Sequence, residues 1–382
     1  MSMVEWKTIE EIGSYFGGLT GKTKEDFEEG NAKYITYMNV FANPSLDSSA
    51  VGVVKINDGE KQNKIQKGDI LFTGSSETPE ETGMSCVVTH NPNGDFYMNS
   101  FCFGLRLFSP EQYNLHFLKH LFRSEYIRKA IAKTASGVTR FNISKTRFSK
   151  IKIPIPTLAQ QKIIVEILDT FTSSIENLKE QIAQRRKQYE YYRDKLLDLE
   201  GKEGVDVCSV AQFVNERIDA SKLSATNYTS VENLLKDKAG RIDSENVPTT
   251  GSWIKYKKND ILIGNIRPYL RKIWLSDRDG GTNGDVIVLR CNEALNPKLL
   301  FFTLSSEKFF NYYNQSLKDG KMPRGDKRRV LSYKIPLFTI IEQQRIVSIL
   351  DTFEETIRNL EAQLEQRQKQ YEYYRNRLLT FE

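Results

Sequence analysis

Two stretches of the chain concentrate guanidinium and ammonium groups. Residues 140–152 carry Arg140, Lys145, Arg147, Lys150 and Lys152; residues 318–329 carry Lys318, Lys321, Arg324, Lys327, Arg328 and Arg329. In both, Gly, Ser, Thr or Asn separate the cations, a mixture suited to phosphates and to the edges of bases. A run of charge alone is more often a solvated face, so it is the recurrence at matching places that points to a polyanion. Arg267 and Arg271, in GNIRPYLRKIW, follow an apolar run and offer forks that match the paired acceptors of guanine. The candidate contacts of the first half are Lys22, Thr23, Ser75, Ser76, Thr139, Arg140, Asn142 and Lys145. Those of the second half are Asn265, Arg267, Arg271, Lys321, Arg324, Lys327 and Arg328.

Other chemistry finds little support. GGLTGKT at 17–23 falls short of a phosphate-cradling loop, because the position that needs the first glycine holds Phe16. Lys22 and Thr23 there read instead as a basic loop. Cys86, Cys102, Cys208 and Cys291 lie far apart with no C-x-x-C pair, as expected of reduced thiols rather than zinc ligands. His116 and His120 have helical spacing but no thiol or carboxylate beside them in sequence, so they read as a helix surface. No nucleophile elbow, H-E-x-x-H or adenine-methyltransferase tetrapeptide occurs, and the chain reads as non-catalytic. No apolar run approaches a membrane span, and the N-terminal residues lack a basic-then-apolar leader, so a cytoplasmic protein is expected. The net charge of +6 permits a polyanionic partner without requiring one.

What must position these residues is set by a repeat. QYEYYR occurs at 188–193 and again at 370–375, an offset of 182 residues. At that offset 152–200 lies over 334–382 without a gap, and 28 of the 49 positions are identical. Apolar residues there step by four and three from Ile164 through Phe171, Ile175 and Ile182 to Leu199, and from Ile346 to Phe381. Five heptads without Pro or Gly predict a coiled-coil helix in each copy. Arg185 and Arg367 break the apolar seam at equal positions, and Tyr189, Tyr192, Tyr371 and Tyr374 fall on it. These six serve helix packing or the docking of a partner. The remaining parts share a rhythm of short strands, a brief helical stretch and a basic loop. KGDILFTG at 67–74 parallels KNDILIGN at 258–265. The fold class is therefore α+β: two strand-rich globular domains (1–151 and 201–333) joined by two long antiparallel helices (152–200 and 334–382) in a pseudo-twofold repeat.

Two dissimilar α+β parts alternate with two near-identical helices, each led in by K-I-P and a Q-Q-[RK]-I segment. In this the chain resembles the specificity subunit of Type I restriction–modification systems, over its whole length. The first copy reads AQQKII where the second reads EQQRIV, which leaves the helix start open by a residue. The resemblance implies two target recognition domains, each reading one half of a split, asymmetric site in double-stranded DNA. It implies helices that set the gap and dock two methyltransferase subunits, with two ATP-dependent restriction subunits in a full complex. S-adenosylmethionine, ATP and Mg would sit on those partners, and this chain would bind no cofactor. A methylation-only complex, or a coiled-coil scaffold that binds no DNA, stands as the alternative.

Overall fold

The computed structural model describes residues 4–315, 317 and 322–381; Lys318 and Lys321 lie outside them. The chain forms two compact units, Met1–Leu178 with Gln363–Glu382, and Lys179–Ala362. Each unit thus holds the beginning of one long helix and the end of the other.

Both units are built on the same antiparallel four-stranded sheet. In the first its order is Gly13–Gly17, Cys102–Leu107, Ile70–Thr73, Ser85–Val87; in the second, Ala211–Phe213, Val286–Cys291, Ile261–Gly264, Ile273–Leu275. Ile70–Thr73 and Ile261–Gly264 are the two DIL stretches of the sequence. They are buried on both faces, which is why they read as unbroken apolar runs rather than alternating ones. Helices Leu115–Leu121 and Pro297–Leu304 cover one face, and the first turns of the long helices complete each core through Ile164 and Leu168, and through Ile346 and Leu350. K-I-P forms an edge strand in each unit: Lys152–Ile155 pairs with Glu5–Thr8, and Lys334–Pro336 with Gly204–Asp206. A prolyl residue is tolerated there because an edge position needs no second ladder bond.

The aspartate that opens each DIL strand is buried and doubly paired. Asp69 accepts from Arg106 Nε at 2.9 Å and Nη2 at 2.7 Å; Asp260 accepts from Arg290 Nε at 2.8 Å and Nη2 at 2.7 Å. Each carboxylate also caps a turn, taking the amide of Gln66 at 2.9 Å or of Lys257 at 2.7 Å. A buried charge is tolerated only when it is paired and hydrogen-bonded in this way.

The doubled glutamines have a similar explanation. Gln161 accepts from the Asn114 amide at 2.8 Å and donates to the Pro156 carbonyl at 2.8 Å. Gln343 accepts from the Asn296 amide at 2.7 Å and donates to the carbonyls of Ala294 and Phe338. Both side chains are buried, and each ties a long helix to the turn before the covering helix. The working residue is the second Gln of the first copy and the first Gln of the second. The helices begin at Leu158 and Ile340, so the offset of 182 holds and the apparent slip in the motif disappears.

The long helices, Leu158–Leu196 and Ile340–Leu378, have 39 residues each, about 58 Å at 1.5 Å per residue. They run antiparallel. In the first unit Phe171 stacks on Tyr374; in the second Arg186 pairs with Glu361 and Tyr192 stacks on Phe353, the partner number falling as the first climbs. The seam departs from the heptad reading at its end. Arg193, not Tyr192, is buried, and Leu197 and Leu379 lie deeper than Leu196 and Leu378. Tyr192 and Tyr374 stay 44% and 40% exposed. A straight helix drifts by about 20° per heptad against a 3.5-residue repeat, roughly one residue over five heptads. Arg193 is accommodated by Asp194 at 2.8 Å and by the ring of Tyr189 at 5.7 Å.

His120 is not on a helix surface. It is 1% exposed, with Nε2 2.7 Å from an Asp169 carboxylate oxygen and Nδ1 2.9 Å from the Tyr371 hydroxyl. One imidazole therefore ties the covering helix of the first unit to both long helices. Burial pushes the His120 pKa below its ordinary value, more than the Asp169 bond raises it. Burial works to raise Asp169, but hydrogen bonds from His120 and Lys119 outweigh it and hold the carboxyl well below the usual range. An unfolded histidine takes its proton near pH 6.5, whereas the buried one resists. Its contribution to stability is thus complete above about pH 6.5 and is lost as pH falls through the lower folded value. The second unit has Phe302 at the equivalent place. His120→Phe should flatten the fall in melting temperature between pH 7 and pH 5. Parallel pH profiles for the two proteins would contradict this role.

Candidate nucleic-acid interface

In the first unit the DIL strand continues past Gly74 into Ser75–Ser76. This pairs antiparallel with Phe141–Ile143, Asn142 opposite Ser75 and Phe141 opposite Ser76. Phe141–Ile143 in turn pairs with Ala135–Ser136, so the basic loop is one end of a small three-stranded sheet. Its tip projects: Val138 is 94% exposed, and Thr139, Arg140 and Asn142 are exposed with it. The tip needs glycine, because Gly137 has φ +151° and a Cβ there would lie 2.0 Å from the Arg140 carbonyl oxygen. Arg140 is held in place. Its Nε donates to Ser75 Oγ at 3.1 Å, and its guanidinium lies 5.6 Å from the ring of Phe101, itself well exposed. Among the described residues no carboxylate comes within ion-pair distance of Arg140. Lys145 opens the next short helix, its ammonium 5.4 Å from the Phe103 ring.

Five of the eight residues named for this half (Ser75, Ser76, Thr139, Arg140 and Asn142) therefore share one platform, with Lys145 close behind. Lys22 and Thr23 do not join it. Lys22 donates to Glu60 and to the Lys55 carbonyl, both at 2.6 Å, with its side chain only 5% exposed. Thr23 donates its amide and hydroxyl to Asp26. Their polar groups close a loop of the protein and leave little to offer a ligand. Ser75 and Ser76 are buried and serve as supports.

The second unit repeats the construction with different residues. Ile266, two residues beyond the end of its central strand, forms an isolated bridge with Arg324. The Arg267 amide donates to the Pro323 carbonyl at 2.8 Å and the Gly325 amide to that of Asn265 at 3.2 Å. Arg324 stands 182 positions after Asn142, so the pairing is the same one. Asn265 is buried beneath it and accepts from the Tyr313 hydroxyl, again as a support. Arg324 is paired with Asp285 at 3.0 Å and Arg328 with Asp326 at 3.0 Å, both on the surface. Such pairs are weak and exchange readily for a phosphate. Lys327 donates to the Gly284 carbonyl at 3.1 Å. Arg271 is a brace: its guanidinium binds Asp237 at 2.7 Å and also Glu307, and the bond to Asp237 raises its pKa. Arg267 and Arg271 both have left-handed backbones, φ +49° and +51°. Such strain persists only where the surroundings over-determine it, and it collects at working loops. Lys321 lies outside the described residues.

Each platform flanks an open cleft. That of the first unit, about 400 Å³, is lined by Tyr37, Met38, Phe41, Glu77, Glu81 and Arg140 among others. That of the second, about 600 Å³, includes Glu232, Arg267, Lys272, Asp285 and Met322. Sequence reading missed these walls because they come from segments a hundred residues apart. The one local signal was GSSETPEETG, where three carboxylates (Glu77, Glu80 and Glu81) follow the paired serines closely.

The seam residues lie where the helices meet within each unit. Arg185 rests 5.9 Å from the Phe353 ring and Arg367 5.7 Å from that of Phe171, so these polar breaks are cation–π contacts. Tyr189 reaches Glu354 at 3.3 Å. Tyr191 and Tyr373, 60% and 58% exposed, are the most open rings of the repeated hexapeptide. All four cysteines are free, and burial pushes Cys86, Cys102 and Cys291 up to about 12, far from a reactive thiolate. Among the described residues no helix is long and apolar enough to cross a membrane.

A family model described as the Type I restriction modification DNA specificity domain matches residues 1–185 and again 200–367. The chain is 30% identical over 297 residues to the putative type I restriction enzyme specificity subunit S.HindORF215P of Haemophilus influenzae, spanning 71% of this chain and 73% of that one. It is 29% identical over 264 residues to the Type I restriction enzyme EcoR124I/EcoR124II specificity subunit of Escherichia coli, spanning 62% of this chain. That match covers 65% of the relative, a little under two thirds of its length. Among solved structures, the Type-I restriction-modification system S subunit from M. genitalium superposes with a TM-score of 0.55 at 17% identity, over 100% of this chain and 97% of that one. A chain solved in work on complex assembly and conformational transition of the type I R-M system gives 0.61 at 15% identity, over 98% and 97%. At these identities the structural likeness carries the fold.

Proposed function

Because the chain belongs to the Type I restriction–modification DNA specificity family, we propose that it is the non-catalytic subunit that tells such a complex which DNA to act on. Each unit reads one half of a split, asymmetric site in double-stranded DNA. The observation that carries this is the duplicated platform: one backbone construction, built twice, with the exposed side chains changed. Arg140 and Asn142 in one unit stand where Met322 and Arg324 stand in the other. A scaffold for a single kind of protein partner would keep those residues alike. What is kept alike is the helix pair.

In this reading the long helices fix the gap between half-sites, and the half-exposed tyrosines of the repeated hexapeptide offer two equal docking places to two methyltransferase subunits. Two restriction subunits complete the complex where restriction occurs. S-adenosylmethionine, ATP and Mg belong to those partners, and the chain itself binds none of them. The modules that exchange as wholes are 1–151 and 201–333.

The test is methylation mapping by single-molecule sequencing in cells that express the chain with its methyltransferase partner. A bipartite adenine motif is expected. Removing four residues, about one turn, from the middle of one long helix should alter the unspecified gap and leave both half-sites unchanged. The old gap with altered half-sites would defeat the ruler, and an active complex without sequence preference would defeat the whole reading. A motif with no restriction of unmethylated DNA would favour the methylation-only complex.

A further inference from the structure

The cleft of the first unit has a composition that phosphate contact does not explain. Its lining combines Arg140 with two carboxylates, Glu77 and Glu81, and with Met38, 61% exposed, as an apolar element. Carboxylates repel a phosphate backbone, so a surface built only to hold DNA would exclude them. Base edges reverse that preference. In the major groove guanine presents two acceptors, which an arginine fork meets, while its cytosine partner presents an amino donor, which a carboxylate accepts.

The side chains are also held before any ligand arrives. Ser75 Oγ accepts from Arg140 Nε, and Phe101 lies beside the guanidinium, so the two terminal amino groups are left for a second pair of acceptors. The next residue, Ser76, donates its hydroxyl to Glu81 at 3.3 Å. Tyr37, stacked on Phe41 with centroids 5.9 Å apart, bonds the Ser75 carbonyl at 2.8 Å and fixes that side of the cleft. Adjacent serines on one strand thus restrain the cation and one of the anions. Pre-organisation of this kind makes a polar contact selective rather than merely adhesive.

We propose that this cleft reads a guanine–cytosine pair, Arg140 taking guanine O6 and N7 and Glu81 accepting from the cytosine amino group. The proposal rests on the DNA-reading function above and adds the base pair and the residues that select it.

The complex with its methyltransferase partner is mapped as wild type, Arg140→Lys and Glu81→Gln. The wild-type motif should contain a fixed guanine–cytosine pair in one half-site. Arg140→Lys keeps the charge but loses the fork, and should reduce discrimination at that pair about 10- to 100-fold while the other half-site stays fixed. Glu81→Gln should relax the same position. Oligonucleotides with 7-deazaguanine at that guanine lack N7; they should bind the wild type about 10-fold more weakly and the Arg140→Lys complex no more weakly than normal DNA does. Three results would overturn the assignment: a wild-type motif without such a pair, variants with an unchanged motif, or a uniform loss on all sequences. A wild-type complex with no bipartite motif at all would instead remove the function on which the assignment rests.

Discussion

Asp260→Ala is expected to destabilise the second unit by about 3–5 kcal/mol, the cost of leaving a paired buried charge without its partner. The carboxylate is almost wholly buried and accepts three hydrogen bonds, two from Arg290 and one from the Lys257 amide. Alanine removes all three. Arg290 keeps its contact with Glu216 on the rim, but its Nε and Nη2 lose their acceptor. Against a typical domain stability of 5–15 kcal/mol this is a large fraction. Calorimetry of the whole chain should show one transition moving down by many degrees while the first unit's transition moves less. Asp69→Ala should reverse the pattern through Arg106. A loss under about 1 kcal/mol for both variants would mean that the buried pairs are dispensable. A substitution of both partners by apolar residues of similar shape should be far milder than either single change, since it leaves no orphaned charge.

Phe72→Ala should cost the first unit about 3–5 kcal/mol, the range for removing a fully buried aromatic side chain. Phe72 is 0% exposed and packs against Phe103, Phe122 and Phe148 at centroid distances of 5.4, 5.3 and 5.0 Å. No single neighbour can move into the space without leaving the others. The strand that carries it ends at Thr73, two residues before the serines that hold Arg140 and Glu81, so the cavity loosens the platform as well as the core. Phe72→Leu should be milder, because it keeps most of the volume. Denaturant unfolding gives the free energies; methylation mapping should show the first half-site weakened and the second retained. Equal weakening of both half-sites would contradict the assignment of one half-site to each unit.

Much of this fold is written in short-range pattern. The helices are legible because some 38 residues without Pro or Gly repeat an apolar spacing that only a helix turns to one side. The central strands are legible because a turn ending in aspartate precedes three consecutive apolar residues. What pattern reading misplaced was set by contacts between distant segments. His120 looked like a surface residue because the groups that satisfy it, Asp169 and Tyr371, lie 49 and 251 positions away. Lys22 looked available because Glu60 is 38 positions off. A heptad rule, which holds for supercoiled helices, puts Tyr192 at the centre of the seam. In the structure the buried face follows 3.6 residues per turn, so Arg193 turns inward and Tyr192 stacks on Phe353 from the half-exposed flank.

Each long helix is ten residues shorter than the repeat that contains it, whose first residues form the K-I-P strand. The duplicated plan, the presence of two long helices, the apolar strands and the loops that carry exposed cations can nonetheless be read from the chain alone. Each depends on the order of residues within a few turns or a few strand positions, and local geometry translates that order directly into shape. Which polar groups are consumed within the protein and which are left for a ligand emerges only when distant segments come together. Folding turned Lys22 and Asn265 into internal braces, tied Arg271 to Asp237 and Glu307 at the surface, and left Arg140, among the described residues, without an ion-pair partner in a cleft that also holds two carboxylates. The reason is physical: whether a charge is free depends on what lies within about 4 Å of it, and in a folded chain those neighbours come from anywhere in the sequence.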